Sequence, residues 1–133
     1  MKDIFTLGNK KMHSHVVIGG DLATFESGTV HPVYSTFAIA RDAEWCCRLF
    51  VLEMKEEDEE GIGTFVHVNH LAPALLGAEI TFEAEITELH GNTINCNWEA
   101  REGQRIIAKG SQGQKIIKRD RLEKLFYEIK KLR

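Results

Sequence analysis

Apolar residues in the stretch Thr36 to Lys55 recur at steps of three and four, and no other long central segment has that spacing. Thr36, Ala40, Ala43, Cys47, Phe50 and Met54 share one helical face, widened by Phe37 and Val51, while Arg41, Asp42, Arg48 and Glu53 lie largely off it. Pro32, Val33 and Tyr34 read as extended chain leading in, and Ser35 or Thr36 can cap the first turn with its hydroxyl. The acidic run from Glu56 to Glu60 and then Gly61 end the helix, because like charges meet the negative end of its dipole.

After Gly61 the period changes to two. Gly63 to His70 places Val66, Val68 and His70 on one face and Phe65, His67 and Asn69 on the other, and two partly apolar faces predict a central strand covered on both sides. Leu71, Ala72 and Pro73 turn the chain, and Gly77 closes the connection. From Ala78 to Leu89, Ile80, Phe82, Ala84 and Ile86 point inward. From Thr93 to Arg101, Ile94, Cys96, Trp98 and Ala100 do the same.

Pairing these even-numbered sets sets Ile86 opposite Cys96 and Ala84 opposite Trp98, which calls for an odd loop, His90 to Asn92. A second hairpin is expected at Glu102 and Gly103. It leads into a long last strand, Gln104 to Ile117, bent or bulged at Gly110 and Gly113. Earlier in the chain, Met12 to Ile18 reads as a short strand, and Asp21 to Thr29 as loop or a helical turn.

The tail, residues 118–133, carries Leu122, Leu125, Phe126, Ile129 and Leu132 at helical spacing. Its complete stripe and interleaved acids favour an amphipathic helix docked on the body over an RNA-binding one. The pattern amounts to one α+β domain over residues 1–133, with a long helix packed on an antiparallel sheet. Open sheet edges and exposed apolar side chains such as Phe65 point to a dimer.

Composition narrows the class. A chain of 133 residues with 43% hydrophobic and 28% charged residues can build a core. A net charge of −3 offers no general field for nucleic acid. No apolar run reaches the roughly 20 residues of a membrane span, and the start lacks a signal-peptide core, so the expected location is the cytoplasm. Three cysteines, two of them adjacent within the helix, suit buried small hydrophobes better than a disulfide or zinc site. His13 and His15 share a strand face, yet no carboxylate or Cys sits beside them at ligand spacing, so no metal is expected.

Three residues stand out chemically. Glu44 interrupts the apolar helix between Ala43 and Trp45. It is either a carboxylate held for acid, base or nucleophilic work or the partner of Arg48 four residues on. Thr36 lies eight residues earlier, about 12 Å along the axis, so it can border the same cleft without touching Glu44. His70 sits on an apolar strand face, where a histidine either serves chemistry or completes a core.

The stretches VYSTFAIARDAEW, GTFVHVNHLAPALLGAEITFEAEI and ELHGNTINCNWEAREG resemble the hot-dog fold thioesterases, within them the fluoroacetyl-CoA thioesterase group, over about residues 21–117. The resemblance rests on Thr36 with Glu44 eight residues later, and on Gly63 with His70 seven residues later. It implies a long helix wrapped by a curved antiparallel sheet, and a homodimer joined edge to edge, with further pairing into a tetramer left open. It also implies an acyl-CoA site at the subunit interface.

On this resemblance Thr36, Glu44 and His70 form the catalytic set, and Gly63 and Thr64 present backbone to the thioester. Tyr34 and Phe37 shape the acyl pocket, and no cofactor is needed beyond the CoA of the substrate. The lead into Thr36 is short, and Gln114 stands where that group has an Arg, so hydrolysis of a small acyl-CoA is expected rather than selection for a fluorinated one. A non-catalytic module binding acyl-CoA is the alternative. A hot-dog dehydratase would need a His beside Asp42 in the helix, and none is there.

Overall fold

The computed structural model describes residues 1–25 and 28–133. Seven strands and two helices follow one another: β1 (Lys10–Val16), β2 (Leu22–Phe25), β3 (Gly28–Tyr34), α1 (Thr36–Met54), β4 (Glu59–His70), β5 (Glu79–His90), β6 (Thr93–Glu102), β7 (Arg105–Lys118) and α2 (Arg119–Lys130). Five strands make one antiparallel sheet in the order β1-β5-β6-β7-β4, and β2 and β3 form a separate hairpin. The stretch from Asp21 to Thr29 is therefore mostly hairpin rather than loop, and its Glu26 and Ser27 lie outside the described residues.

Helix α1 begins where the pattern indicates. Ser35 is the cap, its Oγ accepting from the Ala38 amide at 3.1 Å. Ala38, Ile39, Ala43, Cys46, Cys47, Phe50, Val51 and Met54 face the sheet. Against them stand Ile80, Phe82, Ala84, Ile86, Ile94, Cys96, Trp98 and Ala100, all buried. Each such side chain contributes about 1.5–3 kcal/mol on leaving water. The buried stripe is rotated slightly from the expected one: Thr36 is exposed, and Asp42 is buried.

The β5–β6 register matches the parity argument, with Ile86 opposite Cys96 and Ala84 opposite Trp98. The loop, however, is Gly91 and Asn92 alone, since His90 pairs with Thr93, and a bulge at Thr87 supplies the odd residue. The next turn is Gly103 and Gln104, one place later than expected.

Strand β4 corrects the reading most. It starts at Glu59, ahead of Gly61, and lies at the edge of the sheet rather than the centre. Its mixed pattern has another cause: Phe65 and Val66 are 46% and 40% exposed along an open edge. Glycines 110 and 113 do not bulge β7. A Cβ at Gly110 would meet the His67 carbonyl oxygen at 1.8 Å, and one at Gly113 the Phe65 ring at 2.2 Å, so both let β4 pack closely. The extra residue beside Gly113 is in β4, at Thr64, and the one in β7 lies earlier, at Ile107 opposite the Ala100–Arg101 step of β6.

No side chain of α2 is buried, contrary to the docked tail expected. Arg119 anchors its first turn to Glu60 at 2.9 Å and to the Glu57 carbonyl at 2.6 Å, while Leu125, Phe126 and Ile129 stay about half exposed. Amphipathic spacing shows that a face is apolar, not what covers it. Among the described residues, no helix is long and apolar enough to cross a membrane.

Candidate active site

His70 lies seven positions after Gly63, an odd interval that would put them on opposite faces of a regular strand. The bulge at Thr64 changes the parity. Gly63 pairs with Gln114, Val66 with Gln112 and His70 with Ala108, and all these partners are buried, so Gly63 and His70 both face α1. One strand thus presents two positions to the start and the middle of the same helix.

At the first position, Gly63 lies against Glu44: a Cβ built there would stand 2.0 Å from Glu44 Oε1. Only a residue without a side chain admits the carboxylate. Gln112 Nε2 donates to the same oxygen at 3.3 Å, and Gln114 Nε2 donates to Gln112 Oε1 at 3.0 Å. Arg48 takes no part as an ion-pair partner among the described residues, and its Nη1 donates instead to the Gly61 carbonyl at 3.1 Å. Glu44 itself is partly buried.

At the second position, Thr36 Oγ1 and His70 Nδ1 share a hydrogen bond of 2.9 Å. His70 Nε2 is buried with no hydrogen-bond partner, and a concavity of about 240 Å³ opens over His70, Leu71, Ala72 and Pro73. An imidazole fixed through one nitrogen with the other unpartnered can give or take a proton there. Among the described residues, no hydrogen bond joins Thr36 or His70 to Glu44 within this chain. Thr64 is exposed on the bulge, and Phe37, 55% exposed, stands beside Thr36. A second concavity, about 440 Å³ and lined by Glu83, Glu85, Asn97, Glu99 and Lys109 among others, contains none of the three candidate residues.

Tyr34 belongs elsewhere. It is fully buried, and its hydroxyl donates to Asp42 in a short hydrogen bond. Asp42 also accepts from Arg41 Nε at 2.9 Å, and Arg41 Nη2 reaches Asp21 at 2.7 Å. His15 Nε2 completes the group, 2.6 Å from Asp21. Burial pushes the Tyr34 phenol well above its ordinary value, helped by the Asp42 carboxylate. Burial opposes ionisation of Asp21 too, but the Ile18 amide, Arg41 and His15 outweigh it and hold the carboxyl below the usual range.

The fold therefore brings carboxylates to His15 that local spacing did not show. His15, Asp21 and Asp42 offer three donor atoms within 4.8 Å of one another, but the Arg41 guanidinium already fills a cation's place beside both acids. His13 turns instead to the edge of Trp45, with ring centroids 6.5 Å apart.

Sequence reasoning passed over Gln112. The signal was present in GSQGQKII, where Gln112, Gln114 and Ile116 alternate on one face and two amides occupy core positions. The thiols are inert fillers by contrast: burial pushes Cys46 up to about 12, and Cys47 is raised by its hydrogen bond with Cys96 and by burial.

The family model for FlK, fluoroacetyl-CoA-specific thioesterase, matches residues 17–120. Among solved structures, a Thermus thermophilus protein described as a thioesterase superfamily member superposes with a TM-score of 0.92 at 33% identity. The match covers 97% of this chain and 96% of that one. The fluoroacetyl-CoA thioesterase FlK superposes with a TM-score of 0.86 at 21% identity, covering 95% and 98%. A hot-dog-like protein from Thermanaerovibrio acidaminovorans gives 0.85 at 23%, covering 93% and 92%. A comparison with curated proteins finds no match.

Proposed function

The chain belongs to the family of FlK, fluoroacetyl-CoA-specific thioesterases, and has the hot-dog fold; from that premise we propose that it hydrolyses a small acyl-CoA to the free acid and CoA. The observation that carries this reading is the pairing of a carboxylate seated on a glycine, Glu44 on Gly63, with a histidine fixed by Thr36 and unpartnered at Nε2. A Phe-to-Ala mutant of the structurally similar FlK has been solved with fluoroacetate and CoA, the two products of such a cleavage.

In this reading Glu44 drives the attack on the thioester. It acts either directly on the thioester carbon, giving an acyl anhydride that water then opens, or as the base that activates water. The C–S bond breaks, and CoA leaves as a thiolate that needs little help from an acid. Backbone at Gly63 and Thr64 stabilises the carbonyl oxygen as charge develops on it. His70, oriented by Thr36, positions water and moves its proton. Phe37 borders the acyl group.

Two copies complete the site. The Thr36–His70 pair and Glu44 sit at separate places on α1, and β4 has a free edge running between them. Antiparallel pairing of two β4 edges keeps like faces together only if the two-fold axis passes through a residue. An axis at His67 sets the partner's His70 across from Thr64, next to Gly63 and Glu44. A homodimer would then form two such composite sites.

The test is release of free CoA from acetyl, propionyl, butyryl, hexanoyl, phenylacetyl and fluoroacetyl thioesters by wild type, Glu44→Ala and His70→Ala. The expected result is turnover of one or more thioesters, with most of the rate lost in the Glu44 variant while it stays folded. No turnover, with CoA esters raising Tm, would replace hydrolysis by binding.

A further inference from the structure

A glutamine at the centre of a hydrophobic sheet face needs a reason. Gln112 is 0% exposed, with Cys96 opposite it on β6 and Val66 on β4. A buried amide is stable there only when its donors and acceptor are engaged. Both ends are: Nε2 donates to Glu44 Oε1 at 3.3 Å, and Oε1 accepts from Gln114 Nε2 at 3.0 Å. Gln114, 2% exposed, has its own Oε1 buried and unpartnered, so the row of amides runs one way, toward the carboxylate.

We propose that Gln112 is a positioning residue that holds Oε1 of Glu44 against Gly63 and so commits Oε2 to the thioester, with Gln114 fixing the rotamer of Gln112. This rests on the thioesterase reading above. Gly63 and Gln112 converge on the same oxygen, since a Cβ at Gly63 would lie 2.0 Å from Oε1 and 3.7 Å from Gln112 Nε2. A carboxylate pinned through one oxygen presents the other in a single direction, which is the orientation a nucleophile or base needs.

The donor type suits the task. A Lys or Arg in that place would form an ion pair and withdraw charge from the carboxylate. A neutral amide at 3.3 Å orients it while leaving its charge for the reaction.

Two measurements together test the assignment. In kinetics with the best thioester of wild type, Gln112→Met should lower kcat about tenfold or more with KM within about twofold, because orientation rather than binding is lost. Gln114→Leu should lower kcat in the same direction by less. Gln112→Asn, which keeps an amide too short to reach Glu44, should behave as Gln112→Met does and serves where the Met variant fails to fold.

In NMR spectra of the 15N-labelled protein, the two side-chain amide protons of Gln112 should be widely separated and draw together in Glu44→Ala. An unchanged kcat, or losses of kcat and KM that follow a fall in Tm, would overturn the proposal. So would a Gln112 amide indifferent to Glu44→Ala. If wild type turns over no thioester while the amide still responds to Glu44→Ala, the contact is real but the thioesterase reading fails, and the positioning role falls with it.

Discussion

Gly63 and Glu44 are in contact, with the carboxylate oxygen Oε1 occupying the space a side chain at residue 63 would fill. Gly63→Ala should therefore turn the carboxylate away with little effect on the fold, since the displaced group is the end of a flexible side chain. The expected cost in stability is about 0.5–1.5 kcal/mol, that of an off-rotamer side chain. Activity should fall about 100-fold, as for a misplaced reacting group. Gly110→Ala makes the contrasting control: its Cβ would strike the His67 backbone at 1.8 Å, so the expected loss is above about 3 kcal/mol. Thermal melts beside CoA-release assays of the two variants separate the effects.

Thr36 and His70 act as one unit through their shared hydrogen bond. Thr36→Val and His70→Ala should each lower kcat/KM about 10- to 1,000-fold, and the double variant should lose little beyond the His70 single variant. Multiplied losses would show that the two residues work independently.

Asp21 makes stability sensitive to acid. Its folded pKa lies below the unfolded one, so the stabilisation is fully present above the ordinary aspartate value and drains away as pH falls through the folded value. Tm of wild type should hold from pH 7 to about 5 and drop below about pH 4. Asp21→Asn should cost about 1–3 kcal/mol at neutral pH, discounted because Arg41 is largely exposed, and should flatten the acid drop.

The three cysteines, Cys46, Cys47 and Cys96, are free and buried. Native protein at pH 8 should resist an aromatic disulfide reagent, and all three thiols should react in denaturant, because the thiolate is the reactive form. Rapid native labelling of Cys46 would contradict its burial.

If two copies join along β4 as proposed, they should part when the edge is charged. Val66→Lys should bring the mass in light scattering from twice 15.1 kDa to 15.1 kDa, because edge strands repel partners when they carry lysine. Thioester turnover should fall with it. A monomeric wild type of full activity would remove the composite site.

Much of the architecture was written in periodicity. The alternation around Ile86 and Cys96 fixed a cross-strand pair correctly, because a buried face tolerates no one-residue slip. The helix was equally legible, and so was its cap to within one residue, Ser35 or Thr36, since both depend on neighbours in the chain. Bulges were not: Thr87 and Thr64 look like any strand threonine, and only the sum of the pairings reveals the extra residue. The edge position of β4 escaped for a related reason, because apolar side chains on two faces read alike whether protein covers them or an open edge bears them.

The candidate site divides the same way. Thr36, Glu44 and His70 stood out in the sequence and Gly63 joined them through the family resemblance, whereas the contacts of Gln112 and the burial of Asp42 depend on segments far apart in sequence. Tyr34, read as a pocket residue, is drawn instead to Asp42 and away from any surface.

The bulge at Thr64 ties the length of β4 to its shape. Deleting that one threonine would leave an ordinary strand in which Gly63 and His70 are six residues apart, an even interval, so both would still look at the same helix. Straightening the strand while keeping all its residues would instead turn one of them away. A lineage that keeps this chemistry can therefore carry seven steps with the extra residue or six without it, so parity, more than length, marks where the arrangement ends.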